Sequence, residues 1–128
     1  MKLNAGIITS KLKESKVFYV DTLGFGITFE SDWFLQVHTP NKQFELSFLV
    51  PNHESQPAIF QAEFNRKGVY LTIEMEDVDA WYKIIKSKGI PIEVDLRDEP
   101  WGDRHFAIVD PNGIGIDFVH HTPTIEQS

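Results

Sequence analysis

The sequence predicts an α+β fold built from two tandem β-α-β-β-β modules, and three observations lead there. The chain repeats itself: Phe18-Tyr19, Leu23-Gly24-Phe25, Thr39-Pro40-Asn41 and Phe44-Glu45-Leu46 are answered in order by Trp81-Tyr82, Lys88-Gly89-Ile90, Asp110-Pro111-Asn112 and Ile116-Asp117-Phe118. The offset grows from 63 residues between Phe18 and Trp81 to 72 between Glu45 and Asp117, as small insertions would make it. Apolar spacing also changes from alternation to a helical period and back at corresponding places. Finally, glycines and Pro-Asn pairs punctuate equivalent joints in both halves.

The elements follow in order. Residues 3–9 alternate around Leu3, Ala5 and Ile7 and read as a strand. A helix over about 12–22 follows, with Val17, Phe18 and Leu23 as its buried stripe, and Gly24 ends it by accepting a left-handed conformation. Strands at about 25–30, 33–38 and 43–50 are rich in aromatic and β-branched residues and are separated by Ser31-Asp32 and Pro40-Asn41-Lys42. A polar connection over about 51–67 leads to a strand at 68–75 and a helix at about 77–88. Asp77 suits its N-cap, Trp81, Ile84 and Ile85 its apolar stripe, and Lys86, Lys88 and Gly89 its C-terminus. Strands at about 91–97, 104–109 and 114–120 complete the second copy, the last two joined by the tight turn Asp110-Pro111-Asn112-Gly113. The modules span about 1–58 and 66–122, with a flexible tail over 123–128. Phe18, Phe44, Phe106, Phe118 and Trp81 are assigned to the core.

At 128 residues the chain is long enough to bury a core without disulfides or metal, and its lack of cysteine excludes thiolate chemistry and zinc-ribbon sites. A net charge of −7, from 19 acidic and 12 basic residues, argues against a nucleic-acid backbone as partner. No run of about 18 apolar residues suggests a membrane span, and the N-terminus lacks a signal-peptide layout, so a cytoplasmic location is expected.

Period-2 alternation puts Phe44, Leu46 and Phe48 on one face and Gln43, Glu45 and Ser47 on the other. The same rule opposes Ile116 and Phe118 to Gly115, Asp117 and Val119. These modules, with the stretches Ser15–Phe25 and Trp101–Gly113, resemble the vicinal oxygen chelate superfamily of glyoxalases, bleomycin-resistance proteins and extradiol dioxygenases. The resemblance covers essentially the whole chain. It implies a curved, cup-like mixed sheet with helices on the convex side. It also implies four metal-ligand positions, falling here on Asn4, Glu45, Tyr70 and Asp117. Two of these are poor ligands, because Asn4 offers one neutral amide oxygen and Tyr70 a phenol protonated near neutral pH. The chain therefore resembles the metal-free, bleomycin-resistance-like branch, which implies a homodimer binding a small molecule with no cofactor.

The candidate ligand contacts are Asn4, Glu45, Tyr70, Trp101, Arg104, His105 and Asp117. Glu45, His105 and Asp117 are also candidates for acid-base catalysis, although solvated carboxylates or ion-pair partners would look the same in sequence. Trp101 lies in the loop Asp98-Glu99-Pro100-Trp101-Gly102 and offers a flat surface for stacking. Trp33 is a candidate for a dimer interface. The His120-His121 pair cannot easily chelate, since adjacent strand residues point to opposite faces. Sequestration of an aromatic or cationic compound, a lyase, isomerase or dioxygenase activity, and a non-catalytic sensor or assembly role all remain compatible with these residues.

Overall fold

The computed structural model describes residues 1–121. The tail expected over 123–128 lies outside the described residues. The chain divides into two compact units, Met1–Lys67 and Gly68–Ser128.

In the first unit, β1 (Ala5–Ile8) leads into α1 (Leu12–Lys16), followed by β2 (Gly26–Glu30), β3 (Phe34–His38) and β4 (Glu45–Leu49). The strands form one sheet in the order β1-β4-β3-β2, with β1 parallel to β4 and the other pairs antiparallel. In the second unit, β5 (Tyr70–Glu74), α2 (Val78–Ser87), β6 (Val94–Asp98), β7 (Asp103–Val109) and β8 (Gly115–His121) repeat that plan in the order β5-β8-β7-β6. The predicted α+β fold of two β-α-β-β-β modules is thus the observed one. A short 3₁₀ turn, Ala58–Phe60, lies in the connection between the modules.

The first helix departs from its expected form. After Lys16 it widens into a π-helical turn over Val17–Thr22, where the Leu23 N–H bonds the Phe18 carbonyl at 3.0 Å. A wider turn rotates successive side chains by less, so the buried face moves. Val17, expected in the core, is 54% exposed, while Tyr19 is fully buried against Phe18 and Phe48. Gly24, at φ 82°, closes the turn as expected, and the Gly24 and Phe25 N–H groups return to the carbonyls of Val20 and Tyr19.

In α2, an Asp77 carboxylate oxygen accepts from the Ala80 N–H at 3.0 Å, which caps the helix as predicted. Val78 and Ile85 are buried and Trp81 is half-buried, whereas Ile84 lies one step off this stripe and is exposed. The core of the second unit is Phe106 stacked on Phe118, with centroids 5.0 Å apart, edged by Trp81 and Tyr82 and extended by Ile108, Ile114 and Ile116. The Asp110–Gly113 turn is as expected: one Asp110 carboxylate oxygen accepts from the N–H groups of Asn112 and Ile114, both at 2.8 Å. Phe44 is not core. It precedes β4 in the loop closed by the Thr39 N–H to Phe44 carbonyl bond and is 63% exposed, because strand alternation stops buying burial where the strand ends.

The registers revise the repeat itself. In both units the helix begins four residues after the first strand ends, at Leu12 after Ile8 and at Val78 after Glu74. Ile7 and Ile73 are therefore equivalent, and they pair with Phe48 and Phe118. Counting from those partners, Asp117 corresponds to Ser47, and Glu45 corresponds to Gly115. The likeness of Phe44-Glu45-Leu46 to Ile116-Asp117-Phe118 is a likeness of pattern, out of step by two residues.

Removing the ring that bridges Phe106 and Trp81 should leave a cavity that this small core cannot close. Phe118→Ala is expected to cost about 3–5 kcal/mol in urea unfolding, whereas a loss below about 1 kcal/mol would mean that Phe118 does not anchor the sheet.

Candidate functional site

Each sheet has one face buried against its helix, and alternation turns a second, more polar set of side chains to the other face. In the first unit, Ile7, Leu35, Val37 and Phe48 take the helix side, so alternation turns Gly6, Gln36, His38, Glu45 and Ser47 outward. Glu45 lies opposite His38, which in turn lies opposite Gly26. Its carboxylate is paired with the Lys2 ammonium and accepts from the Thr28 hydroxyl. The Lys2 hydrogen bond, then that of Thr28, holds the Glu45 carboxyl below its ordinary 4.5, although partial burial acts the other way. Ile27, Thr28, His38, Lys42 and Glu45 line a shallow depression of about 310 Å³. The His38 ring lies directly on Gly26, where a Cβ would come within 2.3 Å of ring atoms. Asn4 is exposed just before β1, one step from the Ala5–Leu46 pair.

In the second unit, the open face carries Tyr70 and Thr72 on β5, Asp117 on β8, and His105 and Ala107 on β7. His105 is held at both nitrogens: Nδ1 lies 2.7 Å from Asp117 Oδ1, and Nε2 lies 3.2 Å from Glu99 Oε2. Glu99 is itself paired with Arg97 at 2.9 Å. Burial alone lowers the His105 pKa, but hydrogen bonding and charge from Asp117, followed by Glu99, outweigh it and raise the value above 6.5. Two carboxylates accept best from an imidazolium that donates at both nitrogens. The two carboxylates favour the protonated ring, and both of its nitrogens are engaged.

The structure brings His105 and Asp117 together but separates Arg104 from them. Arg104 shares a face with Phe106, not with its neighbour His105, since adjacent strand residues point to opposite sides. Its guanidinium forks onto Asp79 of α2 at 2.8 and 3.1 Å and reaches Asp98 at 3.2 Å, which ties the helix to the sheet. Trp101 is exposed, and its indole N–H donates to Asp103 at 2.9 Å. Asp103 also holds His121, while His120 turns to the Met75 carbonyl, so the histidine pair diverges as expected. Tyr70 is 73% exposed. Trp33, a candidate for a dimer contact, stacks on His53 with centroids 4.0 Å apart.

Lys2, Thr28, Arg97 and Glu99 are partners that the sequence reading did not single out. Glu99 becomes visible once β6 and β7 are paired, because the Arg97–His105 register turns the hairpin tip back over the histidine. Thr28 sits at the irregularity between Ile27 and Phe29, which simple alternation cannot anticipate.

The four residues at which the resemblance expects metal ligands do not fit a tight divalent site, and the registers make only Asn4 and Tyr70 equivalent, since Glu45 corresponds to Gly115 and Asp117 to Ser47. Asn4 and Tyr70 are weak donors, Glu45 already faces an ammonium, and Asp117 holds His105. Among the described residues, no three His, Cys, Asp or Glu side chains cluster in a way that could hold a metal ion.

Residues 3–118 match the family described as the Glyoxalase/Bleomycin resistance protein/Dioxygenase superfamily. The chain belongs to this superfamily. It is 29% identical over 115 residues to the bleomycin resistance proteins of Geobacillus stearothermophilus and Staphylococcus aureus, covering 84% of this chain and 86% of theirs. A superfamily member from Sphaerobacter thermophilus superposes with a TM-score of 0.73 at 25% identity, over 94% of this chain and 97% of that one. TnmS3, an antibiotic binding protein from Streptomyces sp. CB03234, shares the fold with a TM-score of 0.73 at 21% identity, over 95% and 96% of the two chains.

The raised His105 pKa has a definite sign for stability. A histidine whose folded-state value exceeds its unfolded value near 6.5 stabilises the fold fully below that pH, and the contribution fades as pH rises through the folded-state value. His105→Gln should abolish that part of the pH dependence of urea unfolding, and Asp117→Asn should move the His105 NMR titration downward. A wild-type His105 titrating below 6.5 would contradict the held-cation geometry.

Proposed function

We propose that this chain is a metal-independent, cytoplasmic, homodimeric binding protein of the bleomycin-resistance type, which sequesters a small aromatic or cationic compound. The observation that carries this reading is the donor set: the carboxylates of Glu45 and Asp117 face Lys2 and His105, and Asn4 and Tyr70 offer only an amide and a phenol. The names of its relatives support the same direction, since the 29% identical proteins are bleomycin resistance proteins and a protein of the same fold is described as antibiotic binding. An acidic chain of net charge −7 also favours a cation over an anion as guest.

A second reading, acid-base catalysis within the same superfamily, is favoured by the hydrogen-bonded line Asp117–His105–Glu99. It needs one nitrogen of His105 to be released by substrate, since neither is free.

Bleomycin and a panel of aromatic amines, screened by thermal shift and calorimetry, should include compounds that stabilise the purified protein at one site per chain. Elemental analysis of the native protein should find no stoichiometric metal, and light scattering should give a dimer. A bound transition metal whose removal abolishes a turnover activity would overturn this reading.

A further inference from the structure

The pair between Lys2 and Glu45 joins residues 43 positions apart, and one partner belongs to no helix or strand. Met1–Asn4 precede β1 and are exposed, yet the Lys2 ammonium comes down onto a Glu45 side chain that is only 8% exposed. A protein cation from outside the sheet is therefore paired with the carboxylate that stands opposite His38. The depression around it is lined by Ile27 and by the flat His38 ring, which lies on β2 at the place where residue 26 is glycine. Its volume, about 310 Å³, suits a single ring with a short chain.

We propose that Lys2 is an internal stand-in for the ligand's own cation, and that the Glu45 depression takes a monocationic aromatic amine whose ammonium replaces that of Lys2. The inference rests on the binding reading above and narrows its ligand class. Glu45 and the Thr28 oxygen supply acceptors for an N–H₃⁺ group, and the His38 ring flanks the body of the ligand. Lys42 lines the same depression, so a second positive charge on the guest would be repelled. Residues 1–4 then act as a competing strap: the tether keeps Lys2 at high effective concentration, which weakens every cationic guest but not a neutral one.

Tyramine and its neutral isostere tyrosol separate these effects in NMR titrations at low salt, followed at Thr28 and the Glu45 carboxyl. Lys2→Met should tighten tyramine by about two- to five-fold, the range expected for losing one exposed ion-pair competitor, and leave tyrosol unchanged. Lys2→Arg should behave like the wild type, and Glu45→Gln should remove the preference for tyramine over tyrosol. The proposal is overturned if Lys2→Met leaves tyramine affinity unaltered, if tyrosol tightens equally, or if tyramine shifts neither Thr28 nor Glu45 in any variant. Compounds from the broader panel that bind despite such a result would leave the binding reading standing and remove only this assignment.

Discussion

The parallel pairing of the first and last strand in each module is the constraint on which the rest depends. A parallel pair cannot be closed by a tight turn, so the chain must cross over, and the crossover carries the helix onto one face of the sheet. That single requirement places α1 against β3 and β4 and α2 against β7 and β8, on one face of each sheet. The buried side then fills with Tyr19 and Phe48 in one unit and with Phe106 and Phe118 in the other. Polar residues on the remaining face are free to do something else.

Register decides what they do. Ile7 with Phe48 and Ile73 with Phe118 fix the two sheets in equivalent frames, and within those frames the carboxylates fall two residues apart. Glu45 closes the β3–β4 hairpin opposite His38, whereas Asp117 sits further along its strand opposite Ala107. The duplicated architecture is thus not matched by a duplicated chemistry. One unit presents a carboxylate with an ammonium and a hydroxyl beside a depression, and the other presents an imidazole clamped between two carboxylates.

Much of this is legible in the sequence. Turn chemistry at Gly24 and Asp110–Gly113, the cap at Asp77 and alternation along β8 from Gly115 to Phe118 are local signals, and each matches the structure, whereas Val119 is buried against that alternation. The misses share a different cause. Val17 is displaced by a π-turn, Phe44 by a strand that starts two residues later than expected, and Arg104 by parity on β7 relative to its neighbour. Lys2 and Glu99 depend on contacts between segments, which no window of sequence contains. A motif locates an acid on a strand, but only pairing shows which base it faces.

Those pairings bear on how a guest could enter. A carboxylate standing alone on an open face would gain the whole attraction of an arriving cation, and would bind cations with little discrimination. With Lys2 on Glu45 and His105 on Asp117, an incoming charge gains only the difference between its own contacts and those it displaces. The two exchanges are unequal in kind. Lys2 extends from a segment outside the sheet and can withdraw into water at little cost, whereas His105 is rooted in β7 with Glu99 gripping its other nitrogen. Displacing the histidine would strand a partly buried imidazolium on one carboxylate, so exchange is cheaper at Glu45. Under the proposed binding reading, exchange therefore favours the first module for a cationic guest, while the second keeps its own polar network in place.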